Sequence, residues 1–444
     1  VPDVLPALPE PADNRDIEFE TVDNVPAWLS FRISAAANET DETLLIRTVN
    51  ASGGTIADLT TENTGQRYHL QMADDFDAAA PGLITLSSRN RLTVLHASAN
   101  GQLSRLWAAP SRRSPDTDEP ILTGPITPGR VFWLQGGSLH RSHSLTGAEL
   151  WQRTQLSVSE DLPFFFNPSD RLPLFGDETA VVLFDPFSAT RTAWDAETGK
   201  LLSQGSLQIS LGNRPVSCGR FLVASDDAGR LQIIDGVSGT DLMASQPEVL
   251  VPPLLIHRFC CLLPGNKLLV AAGSQGLIAV DLNAGRTLFR TTDPRLEFPA
   301  SDFFAFESSG GLYVLLRGWD RASEPRGVMS CPEIGCLMRL NPADGSILWV
   351  RDDLQRCQLH RPAGHHSQVF VMLQSINEFE KIRSESADPI DATISVIRDT
   401  DGQELPGSLQ VPLKFPVFVR GTDDSHVIEI LSRGPGARLS PNPP

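Results

Sequence analysis

The chain has 444 residues, of which 41% are hydrophobic and 20% are charged, a composition typical of globular proteins. No apolar run reaches the roughly 18 residues that a membrane-spanning helix needs, so we expect no transmembrane segment. The formal net charge is −17, and such a surface repels phosphate groups; we therefore expect no nucleic acid and no anionic membrane surface as a partner.

Both ends of the chain are predicted to contribute strands to one sheet. Residues 1–16 contain four prolines and are predicted to form a linker, after which residues 17–20 and 28–33 have the composition of first strands. Residues 416–420 and 427–431 form two apolar segments with no turn signature after them. A sheet shared by both ends would leave no open strand edge. Residues 437–444 are predicted to be a disordered tail.

Between these ends, one pattern recurs: a short apolar strand, a turn, a second strand, and then Asp-x-x-Thr/Ser-Gly-x-x-Leu, often followed by an aromatic residue. The clearest copies lie at residues 194–202, 234–242, 280–289 and 340–349. Looser copies centre on four further glycines: Gly54, Gly101, Gly147 and Gly402. The eight turn glycines are 40 to 60 residues apart. A period of this length with strand-like texture is typical of a β-propeller.

The turn in each copy has a physical explanation. The Asp or Asn side chain can accept hydrogen bonds from backbone N–H groups inside the turn, and the glycine supplies the positive φ that a type I turn with a G1 bulge requires. In the six clearer copies, the third residue after the glycine is always leucine: Leu150, Leu202, Leu242, Leu288, Leu348 and Leu405. Because leucine and the following aromatic residue point to opposite faces, we predict a strand buried on both sides.

Long amphipathic helical segments are absent, and 34 glycines with 34 prolines fit a chain of many turns. The sequence thus predicts an all-β fold, a single β-propeller spanning residues 17–436. We expect about eight four-stranded blades, with seven as the alternative, in a ring closed by strands from both termini.

The unit Asp-x-x-Thr-Gly-x-x-Leu-Trp resembles the tryptophan-docking repeat of the PQQ-like β-propellers. That superfamily includes quinoprotein dehydrogenases and outer-membrane assembly factors of the BamB type. The tryptophan is kept at Trp151 and Trp349 and is displaced at Trp107, whereas the remaining copies have other residues: Ser203, Met243, Phe289 and Pro406. WD40 repeats match less well. The resemblance implies the fold and leaves the function open.

Few residues suggest chemistry. Quinoprotein dehydrogenases of this fold carry a vicinal disulfide over their cofactor, which makes Cys260-Cys261 notable; the alternative is that this pair belongs to an inner apolar strand. Residues 399–404 resemble the start of a calcium loop but coincide with a repeat turn. Cys357, His360, His365 and His366 match no standard metal-ligand spacing. We therefore expect no enzyme activity and no cofactor or metal.

Cys331 and Cys336 flank a four-residue loop, and this spacing could close a small disulfide ring. Such a bond would suit an extracytoplasmic (periplasmic or secreted) protein. The alternative is two thiols in a loop.

Two consecutive repeats are enlarged at the same turn, the one before the third strand. This turn is short at residues 135–137, 226–229 and 273–276, and swells to residues 317–336 (the first insertion) and 375–391 (the second insertion). Equivalent turns of consecutive blades are neighbours, so we expect the two insertions to be adjacent. The candidate partner-binding residues are Arg317, Trp319, Arg321 and Arg326 in the first insertion, and Glu378, Phe379, Glu380 and Glu385 in the second.

Long loops on a rigid scaffold commonly carry function, although opposite charges could also pair the two insertions and cap the surface. The hypothesis from the sequence is a non-catalytic scaffold that binds a protein partner or another domain of its own chain. A PQQ-dependent dehydrogenase and a carbohydrate-binding propeller are the alternatives.

Overall fold

The structure is a computed structural model. It describes residues 3–5, 31–37, 43–50, 55–62, 69–72, 83–88, 91–97, 103–109, 121–127, 129–156, 173–207, 209, 215–246, 249–251, 260–263, 265–272, 275–297, 302–308, 310–317, 328–331, 335–360, 369–378, 388–414, 417–421, 428–432 and 436–439. Two compact units are present, and each is described by itself. The first contains residues 1–61, 98–103 and 298–444, and the second contains residues 62–97 and 104–297.

The described strands of the first unit are β1 (Asp3–Leu5), β2 (Phe31–Ala37), β3 (Thr43–Asn50), β4 (Thr55–Glu62), β24 (Asp302–Ser308), β25 (Gly311–Arg317), β26 (Val328–Cys331), β27 (Gly335–Leu340), β28 (Ile347–Leu354), β29 (Cys357–His360), β30 (Val369–Gln374), β31 (Ile390–Arg398), β32 (Leu409–Leu413), β33 (Phe418–Gly421), β34 (Ile428–Leu431) and β35 (Gly436–Leu439). They form four sheets. The sheet formed by both ends of the chain has the order β1-β35-β34-β33, and the others are β2-β3-β4, β24-β25-β27-β28 and β26-β29-β30-β31-β32.

The described strands of the second unit are β5 (His69–Met72), β6 (Leu83–Ser88), β7 (Arg91–Ala97), β8 (Leu103–Ala108), β9 (Leu122–Thr127), β10 (Arg130–Gln135), β11 (Ser138–Ser142), β12 (Glu149–Arg153), β13 (Leu174–Gly176), β14 (Ala180–Asp185), β15 (Thr190–Asp195), β16 (Leu201–Ser206), β17 (Val216–Cys218), β18 (Phe221–Ser225), β19 (Leu231–Asp235), β20 (Cys260–Leu263), β21 (Lys267–Ala271), β22 (Leu277–Asp281) and β23 (Arg286–Thr291). They form five sheets, each made of strands that follow one another along the chain: β5 to β8, β9 to β12, β13 to β16, β17 to β19 and β20 to β23.

The described part of the chain contains no α-helix, and a 3-10 helix spans Pro294–Glu297. No helix in that part is long and apolar enough to cross a membrane. A succession of small sheets whose strands follow the chain, mostly four to a sheet, is the blade pattern of a β-propeller. This confirms the predicted all-β propeller fold class.

The turn glycines lie where the repeat predicts them. Each of the eight lies between the last two strands of a different sheet or, at Gly239, between β19 and Asp241, the residue that bridges back to Ile234 of β19. The six that the structure describes have φ between 60° and 75°: Gly147, Gly199, Gly239, Gly285, Gly345 and Gly402. At Asp195, the carboxylate accepts hydrogen bonds from the backbone N–H and the hydroxyl of Thr198, both at 2.7 Å. The predicted turn chemistry is therefore confirmed.

The shared sheet is a ninth, beside the eight that contain a turn glycine. Strands β33 and β34 agree with the two predicted apolar segments near the C-terminus. The strand from the other end is β1, which pairs with β35 from Asp3↔Arg438 to Leu5↔Gly436. Strand β1 thus lies within the predicted linker, and β35 runs into the predicted tail. Residues 17–30 lie outside the described residues.

One expectation about the last strands is wrong. Leu150, Leu202 and Leu348 are 44%, 45% and 50% exposed, whereas Trp151 and Trp349, each next to one of these leucines, are buried at 9% exposure. A strand at the outer edge of a sheet packs one face against the next sheet and leaves the other in water. At these three positions the recurring leucine therefore lies on an exposed face of the last strand. Leu242, Leu288 and Leu405 in the other copies are half-buried, so none of the six is fully buried.

Five of the described turn glycines also receive a side chain from the preceding sheet, a contact that we call a joint: Gly147, Gly199, Gly239, Gly285 and Gly402. A Cβ atom added to Gly199 would lie 2.7 Å from the ring of Trp151. Trp151 Nε1 donates to the carbonyl of Ala196 at 3.4 Å, and Arg153 Nε donates to the carbonyl of Gly199 at 2.6 Å. The joint between Trp349 and Gly402 in the first unit repeats both bonds: Trp349 Nε1 to the Asp399 carbonyl at 2.8 Å, and Arg351 Nη1 to the Gly402 carbonyl at 3.1 Å.

The joints without tryptophan use other side chains. In the sheet where Ser203 takes the aromatic position, the buried Arg191 lies against Gly239, with its Nε 2.8 Å from an added Cβ. Arg191 Nη1 donates to the carbonyls of Gly236 and Val237 at 3.0 and 2.6 Å, and burial lowers the pKa of this guanidinium. In the next sheet, Leu242 lies against Gly285, and its Cβ is 3.2 Å from an added Cβ.

Candidate functional site

The first insertion contains a strand that pairs with the following sheet instead of the sheet that flanks the insertion in the chain. Strands β25 and β27 pair directly, from Leu312↔Leu340 to Arg317↔Gly335. Strand β26, which comes between them in the chain, pairs instead with β29 of the following sheet, from Val328↔His360 to Cys331↔Cys357. The first insertion therefore contributes a fifth strand to the sheet that carries the second insertion.

The bases of the two insertions meet at one end of this five-stranded sheet. Across the sheet, Cys331 of β26 lies opposite Cys357 of β29, which in turn lies opposite Gln374, the last residue of β30. The chain leaves the sheet at Cys331 toward β27 and at Gln374 toward the second insertion. These two exits are separated by one strand, which places the described bases of the insertions next to each other.

The base of the second insertion is held by the turn between β28 and β29. The Gln374 side chain donates to the carbonyl of Gln355 at 3.0 Å, and the Ser375 N–H donates to the carbonyl of Arg356 at 3.3 Å. The Arg356 guanidinium donates to the carbonyl of Ile376. The Ile376 side chain is 63% exposed, so this anchored turn presents an apolar side chain to water.

A cluster of buried aromatic rings packs in the core next to the bases of the two insertions. Tyr313, Phe370 and Trp349 are buried in one core cluster with Cys331 and Cys357. The rings of Tyr313 and Phe370 meet edge to face, with their centroids 5.4 Å apart. Such packing fixes side-chain rotamers, and a rigid support is what a binding surface needs.

Residues 399–404, which resemble the start of a calcium loop but coincide with a repeat turn, belong to this support. Tyr313 Oη donates to Asp399 Oδ2 at 3.1 Å, and Asp399 is buried. One carboxylate oxygen of Asp399 is thus used within the core, and Gly402 is the glycine of a joint. The segment serves as a repeat turn.

The candidate partner-binding residues are only partly described. Arg317 is the last residue of β25, at the point where the first insertion begins, and Glu378 ends the anchored turn of the second. The other six lie outside the described residues: Trp319, Arg321, Arg326, Phe379, Glu380 and Glu385. Their contribution to binding stays a prediction.

The pairing of Cys331 with Cys336 also stays a prediction. Both residues are buried; Cys331 ends β26, and Cys336 is the second residue of β27. The Sγ atom of Cys331 lies 2.3 Å from the position of a Cβ added to Gly335. The register offers Cys331 a second partner, Cys357, directly opposite on β29.

Cys260 and Cys261 are the first two residues of β20, and both are half-buried. This strand position agrees with the structural interpretation of the pair. Within the described residues, no group of three or more His, Cys, Asp or Glu side chains could hold a metal ion. His365 and His366 lie outside the described residues.

Two features of the site and its support were missed at the sequence level. The four residues of β26 were assigned to a loop, although three of the four in Val328-Met-Ser-Cys are apolar, which is the signal that could have indicated a short buried strand. The arginine two residues after the docking tryptophan, present in both copies as Arg153 and Arg351, could have indicated the hydrogen bond to the next turn glycine.

Comparison with known proteins returns similar structures only. No protein-family model matches the chain, and no curated protein matches it. Among solved structures, the chain is similar to BamB from Moraxella catarrhalis, with 13% identity, 99% of this chain and 100% of that chain covered, and a TM-score of 0.36. The WD40 domain of SCAP from fission yeast has 9% identity, coverages of 99% and 94%, and a TM-score of 0.46. A quinohemoprotein alcohol dehydrogenase from Pseudomonas putida HK5 has 11% identity, coverages of 99% and 78%, and a TM-score of 0.40.

Proposed function

We propose that this chain is a non-catalytic β-propeller of the PQQ-like, tryptophan-docking type that binds a protein partner, or another domain of its own chain, through its two insertions. The tryptophan joints support the repeat type, because Trp151 and Trp349 each dock against the turn glycine of the next sheet. The observation that carries the binding role is the crossing of β26, which brings the bases of both insertions to one end of one sheet.

The composition of the insertions fits a protein partner. The first contains Trp319 and three arginines, and the second contains Phe379 and several acids. Tryptophan and arginine dominate the binding energy of protein interfaces. A surface with both charge signs and aromatic side chains suits another protein surface better than a uniformly charged polymer.

The test is replacement of the insertion tips with matched Gly/Ser linkers. Residues 318–327 and 379–387 are exchanged separately and together, which leaves β26 and the anchored turn in place. The control exchanges Asp227-Ala228 in the compact turn between β18 and β19 for Gly-Ser, because that turn is equivalent and has no insertion. Partners are recovered by native co-purification from the source organism and quantified.

We expect recovery of the partner to fall at least 10-fold in the double exchange and to stay at the wild-type level in the control. Retention of the partner after the double exchange would contradict the assignment of the site. Failure of the intact chain to bring down any protein reproducibly would contradict the binding function itself.

The absence of catalysis is part of this proposal and has its own test. The chain is incubated with PQQ and calcium, and dye-linked oxidation of primary alcohols is measured. We expect no turnover above the protein-free reaction. Measurable turnover that is lost in Cys260→Ser would favour a dehydrogenase, and binding on a glycan array would favour a carbohydrate-binding propeller.

We also propose an extracytoplasmic location. The support is that two buried cysteines, Cys331 and Cys357, lie directly opposite each other on neighbouring strands, since disulfides persist in oxidising compartments. Fractionation of the source cells with an antibody to the chain tests this, and recovery with cytosolic markers would contradict it.

A further inference from the structure

The pairing of β26 with β29 ends in two cysteines. It runs from Val328↔His360 to Cys331↔Cys357, so Cys331 and Cys357 lie directly opposite each other on antiparallel strands. Side chains at directly opposite positions lie on the same face of a sheet. The Cα atoms of such a pair are about 4.5 to 5.5 Å apart, which lies within the range of about 4.4 to 6.8 Å that a disulfide bond spans.

Both side chains are buried in the same part of the core. Cys331 and Cys357 are each 0% exposed, and both belong to the cluster that contains Tyr313 and Trp349. A Cβ atom added to Gly335 would lie 2.3 Å from Cys331 Sγ and 2.9 Å from Cys331 Cβ. The absence of a side chain at residue 335 therefore leaves the room that the Cys331 sulfur occupies.

The third cysteine nearby, Cys336, is placed differently. It belongs to β27, which pairs with β25 without a bulge, and it lies opposite Leu316. Its neighbour Leu337 is a member of the cluster that holds Cys331 and Cys357, whereas Cys336 is not. Because side chains alternate along a strand, Cys336 points to the other face of β27. The register thus favours Cys357 over Cys336 as the partner of Cys331.

A covalent bond at this position would secure a short pairing. Strand β26 is the edge strand of its sheet, and only four residue pairs join it to β29. The register of so short an edge strand is weakly held by backbone hydrogen bonds alone. A bond at Cys331 would fix that register at the point where the first insertion leaves the sheet.

We infer that Cys331 and Cys357 form a disulfide bond that fastens β26, the strand contributed by the first insertion, to the sheet that carries the second insertion. The structure holds both residues as thiols, so the bond is made by oxidation. This inference does not depend on the proposed partner binding.

Formation of the bond requires a disulfide oxidant, for which oxidised glutathione serves in the test. The thiolate of one cysteine attacks glutathione disulfide, breaks its S–S bond and releases one glutathione thiolate; the thiolate of the other cysteine then displaces the second glutathione from the mixed disulfide. One Sγ–Sγ bond forms, two electrons pass to the oxidant, and the two protons lost by the cysteines go to the two released glutathione thiolates. Because both sulfurs are buried in the folded chain, we expect the bond to form during folding.

The experiment is a peptide map of the full wild-type chain refolded with oxidised glutathione. Remaining thiols are blocked with iodoacetamide, and the chain is digested without reductant by trypsin and a glutamate-specific protease. Trypsin alone leaves Cys331 and Cys336 in one peptide, whereas cleavage after Glu333 separates them. The two possible partners of Cys331 are thus distinguished.

The digest has a definite expected product. Cys331 lies in the peptide of residues 327–333, Cys336 in that of residues 334–339, and Cys357 in that of residues 357–378. We expect the first and the third peptides to be linked and the second to be alkylated. The inference is overturned if Cys331 and Cys357 are both alkylated, or if either is bonded to a different cysteine.

The bond also predicts a local difference in hydrogen exchange. Reduction should speed exchange at the β26 amides about 10-fold in the wild type and in the matched control Cys336→Ser. It should not change their exchange in Cys357→Ser, which lacks the bond. Equal effects of reduction in Cys357→Ser and in the wild type would also overturn the inference. The wild-type map decides the question even if Cys357→Ser does not fold.

Discussion

The joints of Trp151 and Leu242 lie in the same unit and solve the same packing problem differently. At the first, an indole covers Gly199, donates a hydrogen bond to the turn, and is flanked by the guanidinium of Arg153, 5.6 Å from the ring centroid. At the second, Leu242 covers Gly285 with aliphatic carbon alone. The turn glycine is common to both, whereas the side chain that docks on it varies.

This comparison shows that the turn glycine has two separate roles. It supplies the positive φ within its own sheet, and it leaves room for a side chain from the preceding sheet. The first role is the same at every joint. The second scales with the size of the docking group, since an added Cβ at Gly199 meets an indole at 2.7 Å while one at Gly285 meets Leu242 at 3.2 Å.

The largest expected effect is the loss of a docking tryptophan. Trp151→Ala removes a buried indole and its hydrogen bond and should lower the free energy of unfolding by about 3–5 kcal/mol. Leu242→Ala in the other joint should lower it by about 2 kcal/mol. Urea titration of the two variants measures the difference. Equal losses would mean that the two joints contribute equally to stability.

A second prediction separates the two roles of the turn glycine. Gly199→Ala meets both backbone strain and the ring of Trp151, whereas Gly265→Ala, at φ 77°, meets only the end of Lys267 at 3.9 Å. In each variant, an alanine at positive φ should lower the free energy of unfolding by about 1–2 kcal/mol. In Gly199→Ala, the clash with the Trp151 ring should lower the free energy of unfolding by about 1–3 kcal/mol more. Denaturant titration of both variants measures these free energies. Equal losses would contradict the second role, which is to leave room for a docking side chain.

A third prediction concerns the arginine beside the indole. Arg153→Gln removes the hydrogen bond to the Gly199 carbonyl and the contact with the Trp151 ring, and should lower the free energy of unfolding by about 1 kcal/mol. The matched control is Arg290→Gln on β23, the last strand beyond Gly285, where the side chain is exposed; its effect should be below about 0.5 kcal/mol. An equal loss in both variants would mean that Arg153 contributes nothing specific to the joint.

The smallest expected effect is on the stability of the protein at acidic pH. Hydrogen bonds from the Thr198 hydroxyl and N–H hold the pKa of Asp195 below its ordinary value. A lowered folded-state pKa gives stability that is present above the unfolded-state pKa of about 3.9 and is lost as the pH falls through the folded-state value. Asp195→Asn should therefore show a smaller drop in the thermal midpoint than the wild type below about pH 4. Equal drops in the thermal midpoint of the two proteins below that pH would contradict the contribution of Asp195 to stability.

The insertions show how far the sequence predicts the candidate site. Their positions follow from repeat length alone, because the turns at residues 135–137 and 226–229 are short and the equivalent turns at residues 317–336 and 375–391 are long. The exchange of β26 to the next sheet does not follow from the sequence. A four-residue strand can pair at any open sheet edge, and no sequence feature of Val328–Cys331 indicates that it pairs with β29.

The sequence by itself determined the turn chemistry of this protein, and through it the period and the all-β fold class. An Asp or Asn that accepts hydrogen bonds from its own turn and a glycine at positive φ act within a few residues, so local composition is enough to reveal them. Only the tertiary structure decided which side chain docks at each joint and which sheet receives β26. Those contacts join residues tens of positions apart, and they are selected by the packing of whole sheets.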